Sequence, residues 1–474
     1  MRYQAALRVS KNTSMLFIGM LFRMLTSFAF VVYIAASLGV TGFGKYCLAF
    51  NYFELSLSLV SSGLAILITR QIATDRSMAG RYLTGSSALV VLLSLVAAGI
   101  LWLLAYLFGY AADTRMAIGI ASLALLPASI AAMCEAVFVA HEKTEYVTCG
   151  TVCESVLRVG LGLAALYLGF GLLGLFVALV IARVVLLLVY VAFLWRRVAH
   201  LNWRCDWTFF KRLLRDWRVF AMETSVSSLN CGMDVILLSL FFGEAAVGIY
   251  SAAAKVLRLG TVVARSFTTA IFPYLSRLHN ESRAVFWQVS QDCLKYMTSI
   301  ALPAIIGIVV LAQPIIDLLF PDDYAKAAAI LQVLSWGLLL EFLNPFLSHI
   351  LFARGEQRKS LIVAVVKLTA WCTVGVWLIK AHGPIGTAWA MVLVSAIAFC
   401  IYCMFAYTGE HLWTLTRDLS RVAVAAGCLV AMLLTLKTIA TVPLLTLGII
   451  VYVFLLLVLR VFTMHDLKRL QSLP

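Results

Sequence analysis

Apolar residues in this chain fall in long, nearly unbroken runs separated by short polar breaks. A helix that crosses the hydrocarbon layer of a membrane needs roughly 20 such residues. Runs of that length occur near 14–38, 45–68, 84–109, 115–140, 147–168, 171–195, 219–241 and 246–275. Six more follow near 294–319, 325–352, 359–380, 384–408, 419–440 and 443–463. The pattern predicts an all-α polytopic membrane protein with about 14 transmembrane helices.

The polar breaks orient these helices. One alternate set carries Arg2, Arg8 and Lys11, then Arg70, Arg76 and Arg81, then Lys143 and a basic stretch from Arg196 to Arg218. The same set continues through Arg277, Arg283, Lys295, Arg354, Arg358, Lys359, Arg417, Arg421, Arg460, Lys468 and Arg469. The opposite set holds only Lys45, Arg115, Lys326, Lys380 and Lys437. Basic residues collect on the cytoplasmic side, so about 25 against about 5 places both termini in the cytoplasm.

Composition agrees with this picture. Of 474 residues, 63% are hydrophobic and 12% charged, too little polar sequence to coat a soluble domain of this length. A cytosolic enzyme, a secreted disulfide module and a disordered scaffold are excluded. The net charge of +15 comes without a basic patch interleaved with stacking aromatics, so no nucleic-acid partner is expected. Most of the 11 cysteines lie inside apolar runs, including the Cys400–Cys403 pair, and read as packing residues. The outer breaks are short, which leaves no room for the catalytic loops of a glycan polymerase or ligase. No Walker A sequence is present, and the chain is read as neither an enzyme nor a primary pump.

Three echoes divide the first twelve runs into two halves. Gly39-Val-Thr-Gly-Phe-Gly44-Lys-Tyr46-Cys-Leu-Ala49 and Gly243-Glu-Ala-Ala-Val-Gly248-Ile-Tyr250-Ser-Ala-Ala253 are both G-x4-G-x-Y-x2-A, at an offset of 204. Gly171, Gly174 and Ala178 match Gly383, Gly386 and Ala390 at an offset of 212. Ala140-His-Glu142-Lys143 echoes Ala353-Arg-Gly-Glu356-Gln-Arg358, both at the approach to the next run. Parallel repeats of this kind mark transporters with a substrate site between the halves near the midplane. The organisation that follows is a first half at 1–195, a cytoplasmic linker at 196–218, a second half at 219–408, and a peripheral helix pair with tail at 409–474. The linker reads as a solvated amphipathic segment or as a partner site.

These turns resemble the polysaccharide flippase family of the MOP superfamily, which moves lipid-linked oligosaccharides. The resemblance rests on Leu38-Gly39 through Tyr46, Ser62-Gly63-Leu64, the Gly243–Ala253 turn, Phe272-Pro273-Tyr-Leu-Ser-Arg277, Leu319-Phe320-Pro-Asp-Asp-Tyr324 and Gly383-Pro-Ile-Gly386-Thr-Ala388. It implies two six-helix bundles around a central cavity that opens alternately to either side, with two extra C-terminal helices. It also implies a polyprenyl-(pyro)phosphate-linked oligosaccharide as substrate, membrane lipids around it, and functional contact with glycosyltransferases and a polymerase in a bacterial inner membrane. A multidrug antiporter and a peptidoglycan lipid-precursor flippase of the same superfamily are the alternatives, as is a glycan polymerase or ligase of another class.

Charges inside the runs point to the cargo. A charge at mid-bilayer costs several kcal/mol unless it faces water or a partner, so their number alone requires a polar interior. In the eighth run, Lys255, Arg258 and Arg265 share one helix face, and Arg23 lies at similar depth in the first run. With Arg183 they form the substrate-binding candidates, since arginine offers bidentate hydrogen bonds to phosphate. The alternative is that these cations only neutralise acids within the bundle. Glu54, Glu223, Asp234 and Glu341 are the ion-coupling candidates, because an acid in a dry cavity can take up H⁺ or Na⁺ and bias a conformational equilibrium. No other cofactor is expected. Glu154 and Arg158, four apart with the acid first, read as an intrahelical pair. Asn344-Pro345, Pro127 and Pro303 are expected to break their helices.

Overall fold

The computed structural model describes residues 2–197, 207–407, 420–422, 424–430, 448, 450–452 and 454–456, with side chains from residue 19 onward except at 197, 219, 220, 223, 262, 263, 265 and 273. Every regular element among the described residues is helical. The first unit of the chain holds α1 (Arg2–Ser61), α2 (Leu64–Thr74), α3 (Ala79–Leu107), α4 (Ala112–Leu123), α5 (Leu125–Ala140), α6 (Thr144–Tyr167), α7 (Gly171–Arg197) and α8 (Trp207–Asn230). Then come α9 (Met233–Glu281), α10 (Arg283–Leu319), α11 (Ala327–Ala353), α12 (Gln357–Ala370) and α13 (Val376–Ala406). Helices are what the apolar runs demand, because a backbone in lipid must satisfy its own hydrogen bonds. On α3, Leu92, Leu95, Val96, Ile100, Leu103 and Leu107 are 50–65% exposed, a face suited to lipid and not to water.

Nine stretches of the described residues are long and apolar enough to cross a membrane. Three of them, Gly19–Thr74, Thr224–Glu281 and Gln357–Ala406, run for 50 to 58 residues. Straight, each would exceed twice the ~30 Å hydrocarbon thickness at about 1.5 Å per residue. Each is interrupted by a glycine in the left-handed region: Gly39 (φ 66°), Gly243 (φ 74°) and Gly383 (φ 59°). Contacts show that the chain doubles back there. Arg158 touches Ser27, well before Gly39 in the chain, and lies over the ring of Phe50, about as far after it. The Tyr250 hydroxyl donates to Asp234 Oδ2 at 2.9 Å, and the two flank Gly243. Across Gly383, a Cβ on Gly386 would lie 2.0 Å from Leu378 O. Three hairpins among nine stretches therefore give twelve crossings in the described residues. The remaining two expected helices, 419–440 and 443–463, lie largely outside those residues. Their described parts place Val422, Ala425, Leu429, Tyr452 and Leu456 against Ile306 of α10.

The repeat is written in the backbone. Gly39 and Gly243 share a conformation, with ψ at 180° and −173°. Gly171 (φ 54°) and Gly383 (φ 59°) also correspond. At the third echo Glu142, the single non-glycine residue with positive φ (59°) among those described, corresponds to Gly355 (φ 73°) rather than to Glu356. The same cap closes both helices: Lys143 N–H donates to Phe138 O and Glu356 N–H to Leu351 O, each at 2.9 Å.

Some expected interruptions are absent and others are new. The turns expected at 39–44 and 243–248 reduce to one residue each, with helix on both sides. α11 runs unbroken through Pro345 and α10 through Pro303. Phe346 and Leu347 are fully buried, and packing holds the α11 segment helical despite the lost backbone bond. Only Pro127 follows a break, at Ala124 between α4 and α5. A π-helical turn at Trp371–Gly375, between α12 and α13, had no signal in the residue pattern.

By its contacts the chain divides into two compact units, Met1–Ser251 and Ala252–Pro474, with the boundary inside α9. The first has its largest side chains, Phe43, Phe53, Phe138, Phe176 and Tyr190, fully buried. The second is built on α10, α11 and α13, where Asn344 Nδ2 ties α11 to Ser395 O of α13 at 3.0 Å.

Candidate functional site

Within the first unit, three helices bring their charges together. Arg183 of α7 reaches Glu154 of α6 (3.7 Å) and Glu54 of α1 (3.8 Å), and Arg158 reaches Glu154 from one turn along α6 (3.9 Å). The Glu154 side chain is 3% exposed, Arg158 11% and Arg183 14%. Aromatic rings complete the arginines' surroundings, Phe50 under Arg158 and Phe53 under Arg183, at 5.9 and 5.6 Å to the ring centres. Nearby, the Tyr190 hydroxyl donates to Glu135 Oε1 at 2.8 Å. The intrahelical Glu154–Arg158 pair is present as the spacing predicts, and α7 adds a third member. Between Arg158 and the rings of Phe30, Tyr46, Phe50 and Phe176 lies a crevice of about one water molecule's size, too narrow for a sugar.

At the end of this unit formed by the hairpin tips, the two glycine turns meet. A Cβ on Gly44 would lie 1.8 Å from Glu244 O, and one on Gly248 would lie 2.2 Å from Val40 O. Val40 and Glu244 are equivalent residues, each directly after its turn glycine, so the contact is reciprocal. The first glycine of each motif turns the chain and the second admits the other turn's carbonyl. The start of α4 ties down both tips: Lys45 pairs with Asp113 at 2.6 Å, and Thr114 Oγ1 donates to Glu244 Oε1 at 3.0 Å. Just before α4, Tyr110 bonds Tyr52 of the first hairpin (3.1 Å) and Ser239 of the second (2.7 Å).

The predicted site residues fall into distinct settings. Arg183 and Glu54 come together, in the cluster just described. Arg23 on α1 is exposed, with no ion pair among the described residues. On α9, Lys255 is half-buried; Arg258 is exposed and, like Arg23, has no ion pair among the described residues. The side chains of Arg265 and Glu223 lie outside the described residues. Asp234 is engaged by Tyr250 and by its neighbour's amide, Val235 N–H to Oδ1 at 2.9 Å. Glu341 on α11 is half-buried and is not joined to the other acids. Sequence reasoning missed Tyr190, Tyr110, Phe50 and Phe53. Only the tyrosines gave a hint, since a hydroxyl buried at membrane depth needs a partner.

Helical hairpins built twice on one backbone plan, with ion pairs at membrane depth, define a polytopic transporter fold. The chain belongs to the polysaccharide biosynthesis protein family, which it matches over residues 9–279, and residues 221–374 also match the MatE family. The fold is that of the lipid II flippase MurJ in its inward closed conformation, with a TM-score of 0.78 at 16% identity over 95% of this chain and 99% of that one. An inward-facing multidrug MATE transporter of the MOP superfamily gives 0.66 at 17% identity, over 85% and 95%. Among named relatives, the capsular polysaccharide biosynthesis protein CapF of Staphylococcus aureus is 26% identical over 39% of this chain and 47% of its own length. The probable low-salt glycan biosynthesis flippase Agl15 of Haloferax volcanii is 24% identical, over 35% of each chain. The matched segments thus span less than half the length of these relatives.

Proposed function

We propose that this protein carries a polyprenyl-(pyro)phosphate-linked oligosaccharide from the cytoplasmic to the outer leaflet of a bacterial inner membrane, by alternating access, for surface polysaccharide biosynthesis. The observation that carries the reading is the uneven pairing of the intramembrane cations. Arg158 and Arg183 are matched by Glu54 and Glu154, whereas Arg23 and Arg258 are exposed without an ion pair among the described residues. An open guanidinium within a span needs water or an anionic ligand, and pyrophosphate suits its fork. Lys255, half-buried one turn before Arg258 on α9, is the further candidate there. The names of the relatives, which concern capsular polysaccharide, glycan and teichuronic acid biosynthesis, support the same class of cargo.

The sugar-pyrophosphate enters the cationic region while the prenyl tail stays in lipid, and movement of one half against the other exposes it to the opposite side. No bond changes. An inside-negative potential favours export of the anion, by about 2.3 kcal/mol per charge per 100 mV. Glu54, Glu223, Asp234 and Glu341 are the candidates should a H⁺ or Na⁺ gradient contribute, and enzymes that build and polymerise the glycan are the functional partners. The MatE match raises organic cations as cargo, but the exposed Arg258 of α9 opposes them.

The test is transport of a radiolabelled lipid-linked oligosaccharide in proteoliposomes. The expected result is potential-stimulated translocation of the intact lipid-linked sugar. Absence of flipping, or cleavage of the sugar–phosphate bond, would overturn the proposal.

A further inference from the structure

The basic segment before the second half has a structure that its charge alone does not explain. Its described part forms the first half of α8, and one face of that helix is committed. Leu213 is buried, Phe209 meets Tyr82 of α3 at 4.9 Å between ring centres, and both Phe209 and Leu213 lie against Gly85 of α3. Further along, Trp217 Nε1 donates to Ser62 O at 2.8 Å, and Ser225 Oγ is 3.1 Å from Ser62 Oγ.

These contacts fix the depth of the helix. Ser62 closes the arm of α1 that begins at the Gly39 turn, and Gly85 stands near the start of α3, whose far end is Leu107. At about 1.5 Å per residue both are roughly 33–35 Å from the opposite side of the unit, one bilayer core away. α8 therefore meets α3 and α1 at the same level. From Leu213 to Ser225 is about 18 Å of helix, and that length is spent moving sideways. The first half of α8 runs along the interface on the side of the basic loops.

Its outward face is Trp207, Lys211, Arg215, Arg218 and Met222, spaced four, four, three and four apart, with Arg212 beside them; all are exposed. Trp207 and Met222, at the two ends, are 66% and 63% exposed. Lys211 sits over the Trp207 ring at 5.6 Å, and Arg215 is 3.8 Å from Asp216 at the helix edge. Among the described residues Asp216 is the acid within ion-pair reach of this face, against four cations. We propose that this face is a docking surface for anionic phospholipid headgroups of the leaflet it lies against. The cations take the phosphates, and Trp207 enters the headgroup zone where indole rings settle. The surface does not depend on what the protein transports.

The test uses the purified full-length protein in nanodiscs of phosphatidylcholine with either dibrominated phosphatidylglycerol or dibrominated phosphatidylcholine as quencher. The Trp207 signal is taken as the difference between wild type and Trp207→Phe. Stronger quenching by the brominated anionic lipid is expected, fading in ~1 M salt. Each of Lys211→Gln, Arg212→Gln, Arg215→Gln and Arg218→Gln should reduce the preference by about fivefold at low salt. Equal quenching by the two lipids in the wild type overturns the proposal, and that comparison needs no charge variant to fold. Quenching by neither lipid also overturns it, and points to an acidic protein partner for the same face.

Discussion

In the first copy of the repeat, Gly39 turns the chain at φ 66°, and the arginines packed behind it, Arg158 and Arg183, lie 3.7–3.9 Å from Glu154. In the second copy, Gly243 turns the chain at φ 74°, while Arg258 on the following arm is exposed with no ion pair among the described residues. A repeat preserves what the backbone demands. Only glycine tolerates the conformation at the hairpin turn and the close carbonyl at the next position. Charge is free to differ, because any face of the same helix can carry it. The copies thus share a frame but not a charge pattern: the first buries a paired cluster and leaves Arg23 exposed, and on the second Arg258 is exposed with no ion pair among the described residues.

Removing the pairing should have the largest effect. Glu154→Gln keeps the shape of the side chain but leaves Arg183 with Glu54 and Arg158 with no ion pair among the described residues, and loss of one partner of a buried pair costs about 3–5 kcal/mol. Thermal unfolding in detergent should show a marked fall in Tm. A variant with the Tm of wild type would mean that the cluster is not structural, and the contrast between the copies would lose one side.

Arg258→Ala addresses the other side. If the open guanidinium meets phosphate, its charge-assisted hydrogen bonds are worth about 1.5–3 kcal/mol, and flipping in proteoliposomes should fall by roughly 10- to 100-fold. Tm should stay put. A fall in Tm with transport rates intact would reverse the assignment and make Arg258 the structural residue.

The shared frame can be broken at the reciprocal contact. Gly44→Ala places a methyl 1.8 Å from Glu244 O, so the two turns must separate. The expected cost is about 1–3 kcal/mol, read as lowered Tm. Gly99→Ala, within α3 and with nothing inside 4 Å of the added methyl, serves as the control and should gain up to about 1 kcal/mol from helix propensity. Equal effects at the two glycines would remove the steric account of the repeat.

How far the residues alone revealed these features depends on the range of the interaction. The positions of the first twelve spans, the paired G-x4-G turns and the Glu154–Arg158 pair follow from local spacing, and all were legible. Reading the turns as loops overstated them, because a single glycine at positive φ reverses the chain while helix continues on either side. Arg183 shows where spacing stops informing. Its charge within an apolar run matches that of Arg258, yet it is ion-paired with Glu54, far away in the chain, and with Glu154 on the neighbouring helix. No spacing rule relates residues on different helices, so a sequence can show that a charge is buried without showing what it faces. Pro345 failed for a related reason: the packing that keeps α11 helical through it is tertiary.

The smallest effect tests the frame where the sequence itself departs from it. Glu142 sits at φ 59° in the cap after α5, and its counterpart after α11 is Gly355 at φ 73°. A side chain in that region costs roughly 1 kcal/mol relative to glycine. Glu142→Gly removes the strain and also the 3.5 Å contact with Arg76, but both side chains are 59% exposed and such pairs are worth about 0–1 kcal/mol. The net expectation is a stabilisation below about 1 kcal/mol. Gly355→Ala should lose about the same amount, since its added methyl meets nothing within 4 Å and only the backbone resists it. The two changes should shift Tm in opposite directions. Shifts in the same direction would mean that the two caps differ in more than one side chain, and that the matching backbones do not reflect a common steric demand.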